Sequence, residues 1–137
     1  MKKIFLACFI GVLLLQGCGE EHIPTDPDVV SSISMERDQY LTVIANRAKI
    51  ENKEEFAWEL IEMCQNNSFH TIKLSTDSGY ATSLHMNVYL WKDEVEEQQS
   101  VMEIKYEPDV FDMDYDIIND SEHFKLYVDG NLVEQWQ

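Results

Sequence analysis

Glycine is scarce and scattered in this chain, and that scarcity removes whole classes of chemistry. Of five glycines, only Gly19, Gly79 and Gly130 follow Cys18. They lie too far apart to build a phosphate-cradling loop or a dinucleotide fingerprint, both of which need several glycines within one turn. No Gly-x-Ser-x-Gly elbow is present, and no HExxH pair of zinc ligands. Bases are equally few, with Lys+Arg 10 against Asp+Glu 26 and a formal net charge of −16. A phosphate backbone binds to positive surface, so nucleic acid is not an expected partner. Cysteine is too sparse for a disulfide scaffold, with only Cys8, Cys18 and Cys64. A hydrophobic content of 45% nevertheless argues against wholesale disorder.

The longest apolar run, residues 4–15, is twelve residues long and follows Lys2 and Lys3. A helix needs about 20 residues to cross a bilayer, so the run suits the core of a signal peptide instead. It leads into Leu15-Gln16-Gly17-Cys18, which resembles the lipobox of bacterial lipoproteins. Leu15 matches the branched apolar position and Gly17 the small residue before the cut, whereas Gln16 departs from the usual small residue. The resemblance implies that residues 1–17 are a signal peptide and that Cys18 carries acyl chains such as palmitate. It also implies that the folded domain sits on the extracytoplasmic face of the cell membrane. Two chains at about 0.8 kcal/mol per buried methylene hold firmly where one is marginal.

Processing of this kind would remove Cys8 and occupy Cys18, so Cys64 has no partner for an intramolecular disulfide. Loss of Lys2 and Lys3 leaves eight bases against all 26 acids, or 18 excess negative charges over 120 residues. One compact domain is natural at that length. A two-lobed solute receptor or a barrel enzyme does not fit.

Residues 18–30 contain Pro24 and Pro27 and no apolar periodicity, which reads as a lipidated Cys followed by an extended linker. The domain is then residues 31–137. Residues 31–45 are apolar and β-branched enough for one or two strands of unclear register. Asn52 and Glu55 have capping-box spacing. Phe56, Ala57, Leu60, Ile61 and Cys64 then recur at helical spacing, which predicts a helix over 52–64 ended by Gln65-Asn66-Asn67. Beyond it the period changes to two. Residues 69–75, 82–91, 101–106 and 123–128 all alternate, and Asp129-Gly130-Asn131 reads as a hairpin turn into 132–136. The expected fold is α+β, with one main helix packed on a mostly antiparallel sheet of about four to six strands. The layout also resembles, through Asn52, Phe56 and residues 72–76, the small uncharacterised lipoprotein domains common in Gram-positive bacteria. That family implies no activity.

Candidate chemistry is thin. His22 lies in the linker, and His70, His85 and His123 are isolated from one another in sequence. Cys64 falls on the apolar helix face, as a small buried hydrophobe would. Asp112, Asp114 and Asp116 open like a calcium loop, but Ile117 replaces its glycine and His123 its bidentate Glu. Their alternation with Phe111, Met113, Tyr115 and Ile117 predicts a half-buried strand with a charged outer face. No cofactor and no metal site are expected.

The expectation is therefore a non-enzymatic binding module, held to the membrane by its lipid, whose acidity favours a basic protein or peptide. The alternative is a small extracytoplasmic hydrolase with a His/Asp site assembled across strands. If the helix covers the sheet face bearing Leu84, Met86, Val88, Leu126 and Val128, the other face presents His85, Tyr89, Trp91, His123 and Tyr127. Tyrosine and tryptophan are enriched in binding hot spots, so these five are the candidate binding residues.

Overall fold

The structure is a computed structural model, and residues 22–110 and 114–134 are described. Residues 1–17, expected to be a signal peptide, and Cys18, Phe111, Asp112, Met113 and Trp136 lie outside the described residues. One helix packs on a six-stranded, mostly antiparallel sheet, the α+β arrangement expected from the periodicities. Strands β1 (Asp28–Met35) and β2 (Asp38–Ile44) come first, then helix α1 (Lys53–Asn66). Strands β3 (Ser83–Tyr89), β4 (Met102–Pro108), β5 (Phe124–Val128) and β6 (Asn131–Val133) follow. Spatial order equals sequence order, β1 to β6.

Helix α1 forms where its caps and apolar stripe dictate. The Asn52 side chain accepts the Glu55 N–H at 3.1 Å, satisfying one of the orphan donors of the first turn. Phe56, Ala57, Leu60, Ile61 and Cys64 are the buried residues of the helix, the five that the spacing selects. The helix ends because Asn67 adopts a left-handed conformation (φ 52°) and its N–H bonds the Cys64 carbonyl, while Ser68 N–H bonds that of Met63. Burial pushes the Cys64 thiol up to about 12, so it stays protonated and behaves as a packed hydrophobe.

The apolar face of the sheet meets this stripe. Leu84, Met86 and Val88 of β3 are buried, with Met102, Ile104 and Tyr106 of β4 and Phe124, Leu126 and Val128 of β5. Trp58 meets the Tyr106 ring edge-on at 6.2 Å, and Tyr106 stacks on Phe124 at 4.9 Å. Strands β1/β2, β3/β4, β4/β5 and β5/β6 pair antiparallel. The β5–β6 connection is a two-residue hairpin, Val128 facing Asn131 with Asp129 (φ 52°) and Gly130 (φ 84°) between them. Two successive positive φ values match the twist of the flanking strands, and Gly130 supplies one without steric cost. The Asp129 carboxylate accepts from Lys53 Nζ and from Glu103 N–H, each at 2.8 Å, which ties the hairpin to the start of α1 and to β4.

Three sequence expectations are corrected. Residues 69–75 form no strand. Both backbone groups of Leu74 are taken by the Asn67 side-chain amide, and the His70 and Thr71 N–H groups by the Asp28 carboxylate, so the ladder they would need is already satisfied. Past Pro108, the described part of residues 107–120 consists of turns instead of a half-buried strand. There the Asp116 carboxylate accepts from the N–H groups of Ile118 and Asn119, and Asp120 accepts from Asp116 N–H. The folded domain begins before residue 31, since β1 starts at Asp28 and Thr25 N–H already bonds the Asn46 carbonyl at 3.1 Å.

One pairing was not legible in the periodicity. β2 and β3 run parallel, with Tyr40 opposite His85 and Thr42 opposite Asn87. Parallel neighbours require a crossover, and α1 together with residues 67–82 provides it.

Candidate functional site

The face of the sheet away from α1 carries one continuous row of side chains. Register places Ile33 opposite Tyr40, Tyr40 opposite His85, His85 opposite Lys105, Lys105 opposite Tyr127, and Tyr127 opposite Leu132. The row therefore crosses all six strands. Ile33 and Tyr40, side by side at one edge, are 61% and 39% exposed, and Leu132 at the other edge is 55% exposed. Tyr40 and His85 stack with ring centroids 4.5 Å apart and planes within 10°. Around them Ser31, Thr42, Asn87 and Glu103 help line a shallow trough of about 270 Å³. Small-molecule sites usually enclose roughly 300–1,000 Å³ and bury most of the ligand. This trough is better suited to one side of an extended or flat partner.

Of the five residues expected here, the structure brings three to this face. His85, Tyr89 and Tyr127 are half-buried on it, with His85 and Tyr127 in the same row. Trp91 is not part of the row. The strand ends at Tyr89 and a 3₁₀ turn (Lys92–Glu94) follows, so alternation no longer sets direction. The Trp91 ring instead stacks on His22 at 4.4 Å, and His22 Nε2 reaches Asp93 Oδ1 at 2.9 Å. His123 also lies elsewhere. It closes a 3₁₀ turn (Ser121–His123) and lies flat on Tyr115 at 4.2 Å. Leu132 closes the row on β6, and its other members, Tyr40, Ile33 and Lys105, escaped the sequence reading. Their only signal was alternation within residues 31–45 and 101–106, which cannot assign faces until the partners of β2 are known.

A serine, a histidine and an aspartate do meet on this face, in an order that does not activate the serine. Ser83 Oγ donates to Asp38 Oδ1 at 2.7 Å, and Thr82 Oγ1 donates to the same oxygen. His85 Nε2 lies 3.2 Å from Ser83 Oγ. The serine has a single proton and spends it on the carboxylate, so His85 donates from Nε2 and has no lone pair there to act as base. Nucleophilic catalysis needs the imidazole between the other two groups, accepting the hydroxyl proton. Burial holds the His85 imidazole below the ordinary histidine range, with Lys105 adding to the effect and Glu107 and Asp38 opposing it. It is neutral at pH 7. His70, by contrast, is exposed in the segment between α1 and β3, its N–H bound to Asp28.

The acidic segment is locally spent. Asp116 is buried and held below the usual carboxylate range; burial opposes this, but bonds from Asn119 and Ile118 and the charge of Arg37 outweigh it. Both of its oxygens accept, Oδ1 from two N–H groups and Oδ2 from the Asn119 amide at 3.0 Å. Among the described residues, no group of three or more His, Cys, Asp or Glu side chains is placed to hold a metal ion. Millimolar calcium is accordingly expected to raise the melting temperature only slightly, by screening. A saturable shift that Asp116→Asn removes would contradict this.

Comparison with models of protein families, with curated proteins and with solved structures finds no match to the chain. Function must therefore be argued from the site itself.

Proposed function

We propose that this protein is a membrane-anchored extracytoplasmic lipoprotein whose globular domain is a non-enzymatic binding module, and that its binding surface is the open sheet face. The observation that carries the reading is the six-strand row from Ile33 to Leu132, four of its six side chains aliphatic or tyrosine, on a face the helix does not cover. Aromatic side chains on a rigid sheet offer large contact area with few rotors to freeze. The lipobox at Leu15-Gln16-Gly17-Cys18 supports the anchor. The excess of acids supports a basic partner and a salt-dependent rate of association. The Ser83–Asp38–His85 order is a further reason to prefer binding over hydrolysis.

Two experiments test the parts separately. Cys18→Ala is expected to abolish incorporation of labelled fatty acid and to leave uncleaved precursor; labelling equal to wild type would refute the anchor. For the face, the full-length chain in nonionic detergent is used for affinity capture from its own envelope fraction, at low and high salt. Tyr127→Ala and Tyr40→Ala should each lower stability by about 1 kcal/mol or less, the scale of a cross-strand pair. Each should nevertheless reduce capture about ten-fold or more, the loss expected of a hot spot worth at least ~1.4 kcal/mol. Capture that survives both substitutions would move the binding surface elsewhere.

A further inference from the structure

The two edges of the sheet differ in a way that bears on how a partner is held. Strand β6 is three residues long and offers little edge. Strand β1 has eight residues, and its second half, residues 31–35, is exposed on both faces. Successive residues of a strand point to opposite faces, so five exposed residues in succession mean that neither face is covered there. Ile33 and Met35 are 61% and 60% exposed.

Natural sheets protect an exposed edge with lysine, with proline, with a bulge or by covering it. β1 has a register irregularity between Val29 and Ser31 only. From Ser31 through Met35 the edge is Ser-Ser-Ile-Ser-Met, without charge or proline. At about 3.4 Å per residue it offers ~17 Å of edge with no strand beside it among the described residues.

Charge decides between occupants. Beside the edge the exposed charges are Asp26 and Glu36, with half-buried Arg37 next in the chain, while the Asp28 carboxylate is turned inward to His70 and Thr71. A second copy would bring the same acids to the same edge, within a chain whose formal net charge is already −16. A basic strand meets no such repulsion and gains attraction from the field of the whole molecule.

We infer that an extended basic segment of a partner protein adds to the exposed edge of β1 as a seventh strand. Backbone hydrogen bonds to residues 31–35 supply its hold, and alternate side chains of the segment continue the row beside Ile33 and Tyr40. Specificity then comes from alternate side chains and affinity from the main chain, as in other strand additions. This rests on the open-face reading and names the mode and charge of the ligand for it.

The test uses the full-length chain in nonionic detergent and a peptide of about ten alternating Lys and Val residues. Two controls accompany it: the same peptide with every backbone nitrogen methylated, which keeps its charge but cannot donate, and a Glu–Val peptide. The Lys–Val peptide is expected to bind about ten-fold or more tightly than either control. It should slow amide hydrogen exchange at residues 31–35, and Ile33→Lys, at an exposed position that leaves the fold intact, should weaken it about five-fold or more.

Equal binding by the methylated peptide would reduce the effect to charge alone and overturn strand addition. So would protection outside β1, or no binding by about 1 mM peptide. Sedimentation of the protein alone covers the remaining occupant: a dimer abolished by Ile33→Lys would assign the edge to a second copy and overturn the proposal. If these fail while Tyr127→Ala still abolishes envelope capture, the open-face reading stands without the edge. If Tyr127→Ala leaves capture intact, that reading falls independently of the peptide result.

Discussion

Phe69→Ala should cost about 3–5 kcal/mol of folding stability, the range for emptying a large, fully buried aromatic site. Phe69 has no exposed surface, yet it belongs to no helix or strand. It sits two residues after the left-handed Asn67 that ends α1, in the segment that returns the chain to β3. A domain of this size has about 5–15 kcal/mol in total, so a large fraction would be lost. With an m-value of ~2 kcal/mol/M, the urea midpoint should fall by about 2 M at unchanged slope. A shift below about 1 kcal/mol would show that the segment is not pinned by this ring.

Asp28→Ala should be nearly as severe, at about 3 kcal/mol, through a different mechanism. The carboxylate accepts from Val29 N–H at 2.9 Å, His70 N–H at 3.0 Å, Thr71 N–H at 3.1 Å and the Thr71 hydroxyl. It is only 9% exposed, so its removal strands donors away from water, and each such loss costs about 1–3 kcal/mol before relaxation. Asp28→Asn keeps one acceptor oxygen and should lose less.

The same site makes a pH prediction. Burial pushes the Asp28 pKa up, but the Thr71 side chain and the N–H groups of Thr71, Val29 and His70 outweigh it, and the net direction is down. The unfolded chain therefore binds the proton more readily than the folded one. The contribution is complete above the unfolded value of about 3.9 and drains away as pH falls through the lower folded value. Denaturant midpoints should fall on acidification below about pH 4, with a shallower decline in Asp28→Asn. Asp116 and Asp129 are lowered too, so part of the decline should remain in that variant. An unchanged acid profile in Asp28→Asn would refute the assignment.

Much of the fold could be read along the chain because its signals are local. The Asn52 cap, the stripe from Phe56 to Cys64 and the Asp129-Gly130 turn each act within a few residues, and each is realised as the sequence implies. Alternation also identified β3, β4 and β5 and the face that meets the helix. It failed where side chains compete for the backbone. Asn67 and Asp28 claim the N–H groups of residues 70, 71 and 74, and Asp116 those of 118 and 119. Hydrophobic period alone does not reveal such competition, because it records which residues prefer burial and not which polar groups are already satisfied.

The candidate site was legible only by strand. His85, Tyr89 and Tyr127 follow from alternation within β3 and β5, whereas Trp91 lies past the end of β3 and His123 before the start of β5, and they stack on His22 and Tyr115. By itself, then, the sequence determined the α+β class, the helix with its buried stripe, and the acidic character of the surface. Tertiary structure decided that β2 lies parallel to β3. That single pairing sets Tyr40 against His85 and extends the row through Ile33 to the edge of β1. Parallel pairing joins residues some 45 positions apart, with partners chosen by the crossover and by shared burial, so no local pattern in either strand encodes it.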